Sequence, residues 1–139
     1  MAKSFRDLVV FQRALDLVVT IYRIAEDFPR SELYGLTSQL RRASISVSSD
    51  IAESQGRLTF GEQRQLLSEA RGSLFEIDAQ CIAAQRLGFL AENDYERVIA
   101  DLRKTGKALA GLIRWVREKE QATKKPSNRA TQHPRQRSA

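Results

Sequence analysis

The sequence predicts an all-α fold, an up-down-up-down antiparallel four-helix bundle. Three observations lead there. Four stretches repeat apolar residues at spacings of three and four, the mark of helices with a buried side. No long stretch alternates with period two, so strands have no rival claim. The links between stretches are short and carry helix stop and start residues, which makes sequential helices antiparallel neighbours. The 139 residues suit one domain, with the bundle at 1–118 and a basic, disordered tail at 119–139.

The first helix is predicted from Phe5 to Asp27, capped by Ser4 and stopped by Pro29. Two apolar rows share it. Leu8, Phe11, Leu15, Val18, Tyr22 and Ala25 form one; Val10, Ala14, Leu17, Ile21, Ile24 and Phe28 form the other. Together they cover an arc of about 220°, against the ~100° or somewhat more that a bundle helix buries. The surplus predicts a second buried surface for this helix.

The second helix opens near Ser31 or Thr37 and carries a run of serines without Pro or Gly until Gly56. Its core row is Leu36, Leu40, Ala43, Val47 and Ile51. A second face of mostly small residues, Ser38, Ile45, Ala52 and Gly56, admits close approach of another helix. A third face holds Gln39, Arg42, Ser46, Asp50, Glu53 and Arg57, with Glu53 and Arg57 in the favourable i,i+4 order. The serines therefore read as spacers, and no base is available to activate one as a nucleophile.

The third helix is predicted from Phe60 to about Gly88, opened by the Thr59/Glu62 capping box. Leu67, Ala70, Leu74, Ile77, Cys81, Ala84 and Gly88 form its core row, with Cys81 as a small buried hydrophobe. Gly72 lies on the opposite side, where it marks either close approach of another backbone or a simple surface defect. The last helix opens at the Asn93/Glu96 box. Tyr95, Val98, Leu102, Leu109, Leu112 and Val116 line its buried side, widened by Ile99, Ala110 and Ile113.

Composition narrows the chemistry. Cys81 and His133 are the only residues of their kinds, so no internal disulfide forms and a Cys/His metal site is nearly excluded. No catalytic triad can be drawn within the bundle, because His133 lies in the tail. Glycine-rich phosphate motifs are absent, and so are the Glu-x-x-His pairs of carboxylate-bridged metal bundles. The reading is a protein without enzymatic activity and without a cofactor. With no apolar run near the ~20 residues of a membrane span and no signal-like start, the expected location is the cytoplasm.

The formal charge is +6, placed unevenly. Residues 117–139 hold seven Lys/Arg and two Asp/Glu, whereas the other 116 residues are nearly neutral. Two readings fit this tail equally: a segment that only aids solubility, or a basic arm for polyanions, RNA above all.

"FRDLVVFQRALDLVVTIY", then "FPRSELYGLTSQLRRASISVSSDIAES", then "RGSLFEID" resemble the bacterial four-helix bundle family encoded in intervening sequences of large-subunit ribosomal RNA genes. The accessory variability proteins of diversity-generating retroelements are relatives of that family. The likeness spans about Phe5 to Val116. Phe28-Pro29, Glu32, Tyr34-Gly35-Leu36, Gln39, Arg42-Ala43, Ser46, Ile51-Ala52-Glu53 and Gly72-Ser73 match the family pattern. Ser48 stands where proline is common, Asp50 where asparagine is usual, Ser54 where glycine is usual, and Phe11 where tryptophan is usual. Gln39, Ser46, Asp50, Glu53 and Gly72 are thus the positions of a structural signature.

The resemblance implies a homopentamer, five bundles arranged as a barrel. It also implies nucleic-acid binding and a reverse transcriptase as partner, as in the accessory relatives. The expected function is that of an oligomeric RNA-binding protein, either an rRNA intervening-sequence factor or a retroelement accessory factor. The alternative is a protein-interaction adaptor that does not touch RNA. Arg41, Arg42, Arg57, Arg64 and Arg71 are the candidate phosphate contacts on the body, and Lys124, Lys125, Arg129, Arg135 and Arg137 those in the tail. No platform of stacking aromatic residues is evident, so nothing indicates base-specific reading.

Overall fold

A computed structural model of the chain describes residues 4–138, with side chains over 4–124. Its elements are a 3-10 turn at Phe5–Asp7, α1 (Val9–Ala25), a second 3-10 turn at Arg30–Glu32, α2 (Leu36–Ser54), α3 (Phe60–Arg86) and α4 (Glu92–Ser138). Among the described residues there are helices and turns and no strand.

The four helices enclose one core. α1 packs on α2 and α4, and α3 packs on the same two helices. Contacts give the senses. Thr20 reaches Asp101 and Arg13 reaches Thr105, so α1 and α4 run oppositely. Gln85 meets Glu92 at one end of α3 and Arg64 meets Glu120 at the other, so α3 also runs opposite to α4.

Local chemistry sets the ends. Ser4 Oγ accepts from the Arg6 N–H, but it closes the short turn before α1 and not α1 itself, which starts at Val9. α2 is capped neither by Ser31 nor by Thr37. Gly35 precedes it and the Glu32 carboxylate accepts from the Leu36 N–H at 3.2 Å. Thr59 Oγ1 accepts from the Glu62 N–H at 3.1 Å and opens α3 as expected. Gly88, at φ 80°, ends the α3 region in a conformation that only glycine adopts without strain. α4 starts at Glu92, one residue ahead of the predicted Asn93 cap, so Asn93 sits inside its first turn.

The second apolar row of α1 forms the core: Val10, Ala14, Leu17, Ile21, Ile24 and Phe28 are buried. From the first row Leu15 and Tyr22 remain 38% exposed each. Leu40, Ala43, Val47 and Ile51 of α2, and Leu67, Ala70, Leu74, Ile77, Cys81 and Ala84 of α3, are buried as predicted. α4 contributes Val98, Leu102, Leu109, Ile113 and Val116, whereas Ala110 is exposed. Each fully buried Leu or Ile is worth about 1.5–3 kcal/mol relative to exposure.

Four of the buried hydroxyls are satisfied within their own helix, Thr105 lying near α1 as well. Ser44, Ser48 and Ser54 donate to the carbonyls of Arg41, Ile45 and Ile51, three residues back, at 2.7–2.9 Å. Thr105 donates to its own helix at Asp101 O, 2.8 Å, and lies 3.3 Å from Arg13 O of α1.

α4 does not stop near Val116. Its bounds run to Ser138, where the sequence reading placed a disordered tail from 119. The stretch from Arg117 to Lys124 is built of good helix formers, and Glu120 within it is bound to Arg64 of α3.

Candidate nucleic-acid interface

The five body arginines proposed as phosphate contacts do not form one surface. Arg42 pairs with Glu76 across α2 and α3 at 3.1 Å. Arg57 pairs with Glu53 at 2.5 Å, the predicted i,i+4 bridge. Arg64 donates from Nε to Glu120 at 2.9 Å. These three are engaged by carboxylates. Arg41 lies over the Tyr22 ring, 5.0 Å from its centroid, with its buried Nε unpartnered. Arg71 is exposed on α3 beside Phe75. In the tail, Lys124 lies 4.0 Å from Glu120, whereas the side chains of Lys125, Arg129, Arg135 and Arg137 lie outside the described residues.

The signature residues are likewise spread out. Gln39, Glu53 and Gly72 are exposed or half-buried at the surface, and Ser46 and Asp50 are half-buried. Gly72 has nothing within 4 Å of where a Cβ would stand, so no backbone of this chain approaches it. Burial, then the charges of Glu69 and Glu53, raise the Asp50 carboxyl above its ordinary range.

A cationic surface does exist, and sequence reasoning missed it. Residues 97–117 of α4 hold Arg97, Arg103, Lys104, Lys107, Arg114 and Arg117 against a single acid, Asp101. All six cations are exposed, and among the described residues none is in a salt bridge. Asp101 is turned aside: it accepts from Thr20 Oγ1 at 2.5 Å. Lys107 and Arg114, seven apart, point away from the buried side of α4, and Arg103 stands at the groove between α3 and α4. Small exposed residues, Ala100, Ala110 and Gly111, leave the cations standing clear. The signal was present in the charge of this window, which a count over the whole body averaged away.

Among the described residues no group of Cys, His, Asp and Glu is arranged to hold a metal ion, and no helix is long and apolar enough to cross a membrane.

A family model described as 23S rRNA-intervening sequence protein matches residues 6–111. The chain belongs to that family. Among solved structures, the chain is similar to a protein of unknown function from the S23 ribosomal protein family of Bacteroides thetaiotaomicron, at 19% identity and a TM-score of 0.70. The match covers 76% of this chain and 96% of that one, and at this identity it speaks for the fold. No curated protein matches. The family match ends before Arg114, so the last outward cations of α4 lie beyond it.

Proposed function

We propose that this intervening-sequence protein is a non-enzymatic, up-down-up-down four-helix bundle that self-associates and binds RNA through the outward cations of α4. One observation carries the reading: six exposed cations against one occupied acid over 97–117, with none of the six in an ion pair among the described residues. From Arg103 to Arg114 the row extends about 17 Å along the helix, long enough to meet more than one phosphate at once. Nothing on it reads bases, so the affinity is electrostatic and tolerant of sequence. Self-association multiplies the row by the number of copies, and weak contacts then add through avidity. Five copies is the number the family resemblance implies, and the cytoplasm is the compartment that fits such a ligand.

The test is RNA binding titrated against salt. Replacing Lys107 and Arg114 together by alanine lowers the slope of log K against log salt by about 0.7 for each phosphate of a single strand that is no longer neutralised. Removing 125–139, a cut that leaves Glu120 in place, lowers it further if the tail contributes. A slope unchanged by the α4 substitutions sinks the assignment to this face.

A further inference from the structure

We infer that the cleft between the end of α1 and the start of α2 is a binding site for a phosphate group, separate from the cations of α4 and independent of them.

The cleft is an open depression of roughly 320 Å³. Phe28, Pro29 and Leu33 give it an apolar wall, and Arg30, Thr37 and Arg41 a polar one. Two polar groups in it lack the partner that burial demands. Thr37 is 3% exposed, and of the five buried hydroxyls it is the one with no hydrogen bond among the described residues. Arg41 Nε is shut off from solvent and is also unpartnered. A buried donor left in that state is destabilising until an acceptor reaches it.

Both groups ask for the same thing. Thr37 and Arg41 are four residues apart, so they share a face of α2. A guanidinium only donates, and a hydroxyl can donate, so one acceptor serves both. Position adds a preference for negative charge. In the first turn of α2 the N–H of Leu36 goes to the Glu32 carboxylate and that of Gln39 to the Gly35 carbonyl. The N–H groups of Thr37 and Ser38 have no partner among the described residues. Free N–H groups at the positive end of a helix dipole favour an anion. The lining itself carries two cations, Arg30 and Arg41, against one acid, Glu26. Neither arginine is in a salt bridge among the described residues. The Tyr22 ring, 5.0 Å from the Arg41 guanidinium carbon, braces that cation. Guanidinium, hydroxyl and helix N–H groups outnumber what the two oxygens of a carboxylate satisfy. A phosphate group, with more acceptor oxygens and more charge, engages them together.

The experiment titrates inorganic phosphate into the isotope-labelled full chain at constant ionic strength, with chloride as the control. Calorimetry reads the affinity and NMR of the backbone amides reads the place. The Thr37 and Ser38 amides shift saturably with phosphate and not with chloride. Arg41→Gln raises the dissociation constant roughly tenfold or more, as loss of a charged hydrogen bond should. Glu26→Gln lowers it. Thr37→Val weakens binding too, yet in chloride it melts no lower than the wild type, because the hydroxyl it removes has no partner to lose. Circular dichroism confirms each fold. Replacing Lys107 and Arg114 by alanine leaves phosphate binding unchanged, which separates this site from the α4 face. Two short RNAs, alike but for a terminal phosphate, then identify the source. Shifts with the phosphorylated strand alone mark a strand end; shifts with neither, alongside the response to inorganic phosphate, mark a free phosphorylated compound. Thr37 and Ser38 amides that stay still, an Arg41→Gln protein that binds phosphate as the wild type does, or a Thr37→Val protein that melts lower in chloride overturns the site.

Discussion

Arg64 Nε donates to Glu120 Oε1 across 2.9 Å, and this contact ties the second turn of α3 to the far part of α4. Phe60 meets Trp115 edge-on nearby, ring centroids 6.1 Å apart. The Arg64 hydrogen bond, helped by the charges of Arg64, Lys124 and Arg117, holds the Glu120 carboxyl below its ordinary value of 4.5, against the opposing effect of desolvation, second in size to the hydrogen bond. A depressed carboxyl contributes stability above its unfolded value and loses it as pH falls through the folded one. Glu120→Ala therefore lowers the melting temperature at pH 7, and the deficit shrinks as pH falls below 4.5. Thermal melts of both proteins across that range check it; a deficit independent of pH rules out the ion pair as its cause.

Gly61 gives a second test of the same junction. A Cβ there would come within 2.9 Å of Glu120 Oε2, the end of a flexible side chain. Gly61→Ala gains up to about 1 kcal/mol of helix propensity but displaces the carboxylate. The expected result is near-neutrality alone and stabilisation when Glu120 is already alanine. A denaturant double-mutant cycle measures the difference, and simple additivity contradicts the contact.

Asp50 sits in an unfavourable place, half-buried and facing the charges of Glu69 and Glu53. A raised carboxyl gives stability that is complete below its unfolded value and lost as pH rises through the folded one. Asp50→Asn should therefore raise the melting temperature at pH 7 and change it little at pH 3. Equal effects at both values would remove carboxylate repulsion as the cause.

Cys81 is fully buried, and burial together with Asp78 pushes its thiol up to about 12. The native protein should not react with a thiol reagent at pH 8, and labelling should follow the rate of opening. Its raised value also implies stability that is intact below 9.0 and declines as pH rises toward about 12, a loss that Cys81→Ala should lessen. Rapid stoichiometric labelling of folded protein would show that α3 does not shield it.

The fold was readable wherever one apolar row stood alone. The α3 row from Leu67 to Ala84 is buried residue for residue, because it is the one unbroken apolar row on that helix, Phe75 and Ile82 standing apart from it. α1 was ambiguous, since two rows lie side by side and only packing decides between them. Ser44 was legible in neither respect: it is fully buried, and its hydroxyl is satisfied three residues back, a solution that hydropathy does not register. The start of α2 escaped for a similar reason, its cap being the side chain of Glu32, four residues ahead. For the candidate interface, arginines were visible but their partners were not. Arg42, Arg57 and Arg64 find carboxylates, two of them on other helices, and the unpaired cations of α4 emerged only once those pairings were known.

The three hydroxyls of α2 that turn back on their own carbonyls leave that helix keyed to its neighbours by contour alone. Its one directional link to α3 among the described residues, Arg42 to Glu76, is out in the solvent. A slip of α2 by one turn, about 5.4 Å, would cost packing yet strand none of these three hydroxyls.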